Sequence, residues 1–295
     1  MKAHVAIVTR TKDRSILLQR AMCSVLNQTW QDWTHVIVND GGDAISVDTL
    51  GRQYASRYGD RLRIIHNDRS CGMEAATNIG IAQCSSDYIL VHDDDDSLDS
   101  HFLEKATGYL NNPPYPTIQG VATLVMKIRE QIKGDRVTKV GGELFRSLNG
   151  CIVAAEISES NPVPPISFLF KRSAYMDIGP FDESLPVLGD WEFLIRFISR
   201  FDVGVIPEVL ANYHIRTTNS GAIANSIVDS SKRFMLYEAV IRNRILRNGT
   251  DSALAVLIQQ GFYAQRLRRL YEHRFVGGFI RLWSKFINNN IPPAP

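Results

Sequence analysis

Short apolar runs alternate with helix-like segments through the first third of the chain, and this alternation limits the fold more than any other feature. Val5-Ala6-Ile7-Val8, Val36-Ile37-Val38, Leu62-Arg63-Ile64-Ile65 and Tyr88-Ile89-Leu90-Val91 have the length and apolar content of buried strands. Ser15 stands before Ile16, Leu17, Ala21, Val25 and Leu26, which share one helical face, and residues 49–58 and 74–82 read as two more helices. Strands separated by helices are joined by crossovers and pair in parallel. The expectation is an α/β protein with a mostly parallel central sheet flanked by helices. Ligands of such sheets sit beyond the carboxyl ends of the strands. Three polar clusters fall there: residues 9–14, 40–43 and 93–96.

Asp93-Asp94-Asp95-Asp96 follow the fourth apolar run with only His92 between. Four adjacent carboxylates repel one another, and a cation relieves that repulsion. Hard oxygen ligands suit Mg2+ or Mn2+, which commonly bridge a carboxylate and a diphosphate. The plainer alternative is a solvated turn with one Asp capping a helix that starts near Leu98. Asp40 ends the second strand before Gly41-Gly42-Asp43; it can accept hydrogen bonds from a base or ribose, or simply form an Asp-Gly turn. Asp190 and Glu192 flank Trp191 at the start of a helix over residues 190–200. A carboxylate there can take a proton from a hydroxyl, and it can equally cap the helix. His214 and Arg216 follow a strand-like stretch at 209–213 and can reach a phosphate, or a metal through the imidazole.

The middle of the chain is less regular. Residues 121–128, 136–144 and 167–170 look like strands, separated by loops at 111–116 and 161–165. From Asp229 onward the pattern is helical, with Arg247-Asn248-Gly249 as a stop signal. A net charge of +2 gives no global field for nucleic acid. No apolar run approaches the ~18 residues of a membrane span. Residues 1–4 lead directly into a strand without a signal-peptide pattern, so a cytoplasmic protein is expected. Cys23, Cys71, Cys84 and Cys151 lack metal-ligand spacing and read as reduced thiols filling the core. Residues 265–287 carry six Lys or Arg and one acid, interleaved with Leu267, Leu270, Phe275, Phe279 and Trp283. That segment fits either peripheral contact with an anionic membrane face or packing on protein.

Together these pieces resemble the family 2 glycosyltransferases with the GT-A fold. Ser24-Val25-Leu26-Asn27-Gln28-Thr29 followed by Val36-Ile37-Val38-Asn39-Asp40-Gly41 is similar to the family's first helix and second strand. Gly72 with Ala76, Asn78 and Gly80, the Asp93–Asp96 tetrad, and Gly179-Pro180-Phe181-Asp182-Glu183 leading to Asp190-Trp191-Glu192 continue the pattern in order. The resemblance implies a GT-A domain at 1–225, its nucleotide-sugar half at about 1–100 and its acceptor half at about 101–225, then a helical extension at 226–295. It implies an inverting, metal-dependent hexosyl- or deoxyhexosyltransferase. The donor would be a UDP- or dTDP-linked sugar, and the acceptor a glycan or lipid-linked glycan of a bacterial surface polysaccharide, O-antigen or capsule. Thr9, Thr11, Asp13, Asp40, Asn78, Asp93 and Asp94 would bind the nucleotide sugar. Asp95 and His214 would hold Mn2+ or Mg2+, Asp190 would be the catalytic base, and Trp191, Glu192 and Arg216 would serve the acceptor or phosphate. Arg10, Thr77 and Gly189 depart from the family's usual proline, arginine and glutamate, and Tyr213-His214-Ile215-Arg216 exchanges the usual arginine and histidine. A nucleotidyltransferase of sugar phosphates and a silent glycan-binding module are the alternatives; the acceptor motif opposes the first, and intact Asp95 and Asp190 oppose the second.

Overall fold

The computed structural model describes residues 3–133, 136–216, 231–248 and 252–272. Its elements in chain order begin with β1 Val5–Thr11, α1 Ser15–Leu26, β2 Trp33–Asp40, α2 Ala44–Tyr58, β3 Leu62–Asn67, α3 Met73–Ala82 and β4 Tyr88–Asp93. These strands pair in parallel in the order β3-β2-β1-β4, as the alternation predicts. The side chains of β1 alternate between two apolar layers. Val5 and Ile7 join α1, α2 and Phe102 on one face, and Ala6 and Val8 join α3 and the later helices on the other. Burial on both faces explains why these strands read as continuous apolar runs.

The acidic turn leads to a two-residue strand, β5 Ser97–Leu98, and then to α4 Phe102–Asn111. The helix expected near Leu98 therefore starts later, because Ser97 and Leu98 pair with a distant strand through Asn212 and Ala211. The second half adds β6 Ile118–Lys133, β7 Arg136–Leu144, α5 Ala154–Glu159, β8 Phe168–Lys171, α6 Arg172–Ile178, α7 Gly189–Ile198 and β9 Asp202–Arg216. β8 joins β4 to β6 by antiparallel pairing, and β6 runs parallel to β9 along most of its length. Both β6 and β9 are longer than their apolar cores suggest, and α5 and α6 lack a clear periodic signal in the sequence.

Two further helices, α8 Ser231–Asn248 and α9 Ser252–Glu272, pack on the domain. Ile241 and Ile258 are buried in the core layer that holds Trp191. Arg242 donates to the Ser158 carbonyl at 2.9 Å, and its guanidinium stands 4.9 Å from the Trp191 ring centre. Of the basic segment 265–287, residues up to 272 end α9 and the rest lies outside the described residues. No helix among the described residues is long and apolar enough to cross a membrane. All four cysteines are free thiols.

Candidate active site

A cleft of about 520 Å³ opens at the carboxyl ends of β1, β2 and β4, and α7 closes its far side. One wall begins where β1 ends. Asp13 adopts a left-handed backbone (φ 55°), which turns the chain back over β2. Its Oδ1 accepts the backbone N–H of Asp43 at 2.8 Å. The two loops approach so closely that a Cβ on Gly42 would lie 2.8 Å from the Asp13 nitrogen, so only glycine fits there. Asp43 then caps α2 through the N–H groups of Ile45 and Ser46. This cap starts α2 several residues before the expected position.

Asp40 lines the cleft and also fastens the loop before α3. It accepts from Asn67 Nδ2 (2.9 Å), Ser70 Oγ (2.7 Å), and the N–H groups of Cys71 (2.9 Å) and Gly72 (3.1 Å). Burial alone would push this carboxyl up, but those donors hold it down at about 2. A base reaching Asp40 has to share it with the protein's own donors.

The tetrad is a turn closed by the Asp96 N–H on the Asp93 carbonyl at 3.1 Å. Its repulsion is met only in part within the protein. Arg10 Nε donates to Asp93 Oδ1 at 3.0 Å. Thr11 Oγ1 donates to Asp94 at 2.7 Å, and Arg14 reaches the same carboxylate at 3.3 Å. Burial, then the Asp95 charge, push the Asp94 carboxyl up to about 7. Asp95 is ion-paired with Arg216, and Arg14 stands 3.6 Å from it. Asp96 accepts the His214 N–H at 2.9 Å, and burial pushes its carboxyl well above the ordinary range.

Beneath the tetrad lies a buried ionic layer created by the pairing of β6 with β9, which sets Glu130 opposite Arg216. Arg216 is fully buried and donates to Glu130 at 3.1 Å as well as to Asp95. Arg20 meets Glu130 at 2.7 Å. Burial opposes ionisation of Glu130, but its bonds with His214 and Arg20 hold it down at about 2. His214 uses both ring nitrogens, Nδ1 with Glu130 (2.9 Å) and Nε2 with Ser97 Oγ (3.0 Å), and burial lowers its pKa. A divalent ion does not fit this arrangement. The carboxylates that would ligate it already face guanidinium groups, and both imidazole nitrogens are engaged. Among the described residues no group of three His, Cys, Asp or Glu is placed to hold a metal.

The opposite wall is built at the start of α7. Leu188 precedes it with a left-handed backbone (φ 65°), unusual for a branched residue. Leu188 and Asp13 are the non-glycine residues with positive φ among those described, and both line the cleft. Such backbone strain persists where the surroundings fix it, commonly at functional sites. Asp190 faces the cleft, partly buried, and accepts from Asn161 Nδ2 at 2.8 Å. Burial raises its pKa, while the Trp191 N–H and the Arg10 charge act against that rise. Glu74, from the first turn of α3, lies beside it. Burial pushes Glu74 up to about 7; Arg10 lowers it, and Asp190, Asp93 and Glu192 add to the rise.

Thr11, Asp13, Asp40, Asp93, Asp94, Asp95 and Asp190 thus line one cleft as expected. Six other candidates do not. Thr9 shares the strand face of Val5 and Ile7, so it points into the α1 layer and bonds His35 at 2.8 Å. Asn78 faces the 179–183 turn, bonding the Phe181 backbone and Glu183. Trp191 is a core residue that donates to the Ile157 carbonyl at 2.7 Å. Glu192 pairs with Arg196, which in turn clamps the Ile178 and Pro180 carbonyls. His214 and Arg216 belong to the buried layer. The sequence reading missed Arg10, Lys12, Arg14, Glu74, Asn161 and Tyr213 on the cleft wall. Arg10, Lys12 and Arg14 fall in the polar cluster at the end of β1, which was a usable signal.

The glycosyl transferase family 2 model matches residues 6–147, which hold the wall at the strand ends and stop before α7. An uncharacterized glycosyltransferase of Haemophilus influenzae is 21% identical over 225 residues, 75% of this chain and 68% of its own length. A PGL/p-HBAD biosynthesis glycosyltransferase of Mycobacterium tuberculosis is 26% identical over 232 residues, 76% of this chain and 80% of its own. Among solved structures, S. aureus TarS 1–349 in complex with UDP-GlcNAc superposes with a TM-score of 0.64 at 14% identity, over 94% of this chain and 75% of that one. The Pyrobaculum calidifontis mannosyltransferase PcManGT, in complex with GDP-Man and Mn2+, does so at 0.60 and 12%, over 97% and 81%. The family 2 match at residues 6–147, the glycosyltransferase relatives and a fold shared with solved glycosyltransferases mark this chain as a glycosyltransferase with the GT-A fold.

Proposed function

We propose that the enzyme transfers a sugar from a nucleotide diphosphate to an acceptor hydroxyl with inversion, and that Asp190 is the base. One observation carries this reading: Asp190 faces Asp93 and Arg14 across a single cleft, from the wall opposite the strand ends. A diphosphate lying over the carboxyl ends of β1 and β4 meets Lys12, and it shares Arg10 and Arg14 with Asp93 and Asp94; these cations offset part of the charge that builds on the leaving group. The acceptor hydroxyl then lies toward α7. Asp190 takes its proton as the oxygen attacks the anomeric carbon, and the bond to the diphosphate breaks on the far face. Burial raises the basicity of Asp190, and the Asn161 amide fixes its carboxylate. Alignment of the two substrates between these walls supplies much of the rate. No step passes through a divalent ion, because the tetrad already faces arginines.

The acceptor in this reading is a glycan or lipid-linked glycan of a bacterial surface. The names of the mycobacterial relatives support a biosynthetic role. Val256, Tyr263 and Leu267 are exposed along α9 beside the basic segment, which supports peripheral membrane contact. Nucleotide release from UDP- and dTDP-sugars, followed by NMR of the product anomer, tests the reaction. Inversion of the donor's configuration is expected, and retention would overturn the single-base mechanism. Sedimentation with anionic vesicles at low and high salt tests the membrane contact; no binding at low salt would remove it.

A further inference from the structure

Glu74 occupies an unusual place for a first-turn glutamate. Such residues commonly stay solvated and complement the helix dipole. Here the side chain turns into the cleft wall and is only 3% exposed. Among the described residues no donor hydrogen-bonds its Oε2, and the Arg10 guanidinium stands 3.6 Å away, an ion-pair distance. A buried carboxyl oxygen without a donor is costly unless a ligand brings one.

The opposite element is shaped around this side chain. A Cβ at Gly189 would overlap the Glu74 carboxyl group and lie 2.6 Å from its Cγ. Residue 189 is helical, with ordinary backbone angles, so its glycine is explained by this seat rather than by conformation. The groups around Glu74 are Arg10 from β1, Asp93 from β4, and Asp190 and Glu192 from α7. Arg10 also bridges to Asp93 at 2.8 Å and to Thr77 Oγ1 at 2.8 Å, so the guanidinium is fixed on the donor side. Glu74 thus lies close both to Asp93, which ends β4, and to Asp190. In the reaction proposed above, the sugar being transferred occupies the interval between those two residues.

We propose that Glu74 is a donor-specificity residue: its Oε2 accepts a hydroxyl hydrogen of the transferred sugar, in a seat that only glycine at position 189 leaves open. The inference rests on the transferase reading of the cleft. It requires a donor whose sugar carries a free hydroxyl at the position facing α3. A site built to bond a hydroxyl rejects the analogue that lacks it, because the buried acceptor is then left unpaired.

The test measures kcat/KM for nucleotide release from UDP-glucose, UDP-galactose, UDP-N-acetylglucosamine, dTDP-linked hexoses and deoxyhexoses and GDP-mannose, and from monodeoxy analogues of whichever is used. The native enzyme is expected to reject one analogue by roughly a hundredfold or more. E74A should shrink that ratio to about threefold and leave the ratios for the other analogues unchanged. E74Q, which keeps the shape and one acceptor oxygen, should shrink it by roughly tenfold and covers the case in which E74A does not fold. G189A, which displaces Glu74 without removing it, should lose the same preference. A variant that is slower with every donor and analogue alike, or that keeps the full ratio, overturns the proposal and leaves the transferase reading intact. No release by the native enzyme from any donor overturns both.

Discussion

The acidic turn after β4 and the acidic pair beside α7 face one cleft, yet their charges are met differently. Each residue of the turn has at least one protein partner, Arg10 on Asp93, Thr11 and Arg14 on Asp94, Arg216 on Asp95 and the His214 N–H on Asp96, although the second Asp96 oxygen is buried without a hydrogen bond. Across the cleft, Glu74 and Asp190 share the field of Arg10 with Asp93, and one Glu74 oxygen has no hydrogen bond. Matched charges fix a wall. Raised pKa values occur on both sides, at Asp94 and Asp96 as well as at Glu74 and Asp190, so what sets the α7 side apart is its place across the cleft from the strand ends. In the proposed reading the acidic run after β4 holds the wall, and the chemistry falls on Asp190 and Glu74, which stand apart from it in the sequence.

The sharpest test of the matched side removes its deepest cation. Arg216→Ala leaves Asp95 and Glu130 buried with less positive charge, and breaking a buried pair costs about 3–5 kcal/mol. Urea unfolding should show a loss of that order. A loss below about 0.5 kcal/mol, typical of surface substitutions, would mean that the layer is not the foundation described here. The unmatched side is tested by Asp190→Asn, which keeps the shape but cannot accept the proton. Turnover should fall by roughly a hundredfold or more, with nucleotide affinity unchanged. Surviving turnover with collapsed affinity would move Asp190 to the nucleotide site.

How much of this contrast was legible in the sequence follows from the range of the interactions. The sheet β3-β2-β1-β4 was legible because each strand announces itself by a local apolar run. The cleft was legible because strand ends carry ligands in parallel sheets. Strand parity was also available: Thr9 follows Val5 and Ile7 by steps of two, so it had to enter the α1 layer. The Arg216–Asp95 pair joins residues 121 positions apart. It exists only because β6 and β9 align along most of their length, and no local pattern reports that register. Glu74 satisfies the local rule for a helix start, so nothing in its own segment betrays that it turns inward. The notch at Gly189 reveals it only when α3 and α7 are seen together.

The pH dependence of stability sharpens the comparison further. Asp40 and Glu130 sit at about 2, below their ordinary values. Their contribution is present above the ordinary carboxylate range and is lost as pH falls toward about 2. Glu74 and Asp94 are displaced the other way, to about 7. Their contribution is full below the ordinary range and is lost as pH rises through about 7. Glu74→Gln removes one buried ionisation, so it should gain roughly 1–3 kcal/mol relative to the native protein at about pH 8. That gain should vanish near pH 4, where Glu74 is protonated in both states. Urea midpoints at the two pH values measure the difference; an equal effect at both would show that Glu74 does not ionise as its surroundings dictate.

The smallest expected effect concerns metal, and it decides whether the tetrad is matched in the working enzyme too. A divalent ion over this turn needs several oxygen or nitrogen ligands with free lone pairs. Asp95 faces Arg216 and Arg14, Asp94 faces Thr11 and Arg14, and His214 spends both nitrogens on Glu130 and Ser97. Freeing Asp95 would uncover Arg216, which is wholly buried and would then have only Glu130 of the two carboxylates. A diphosphate, for its part, finds Arg10, Lys12 and Arg14 on the cleft wall. UDP affinity measured by calorimetry in excess chelator and in excess Mn2+ should therefore agree within about threefold, less than 1 kcal/mol. A loss of tenfold or more in chelator, restored by Mn2+, would mean that the arginines swing aside when the donor arrives. The turn after β4 would then be a metal site held closed by its own cations, and the contrast between the two acidic clusters would hold only before the donor binds.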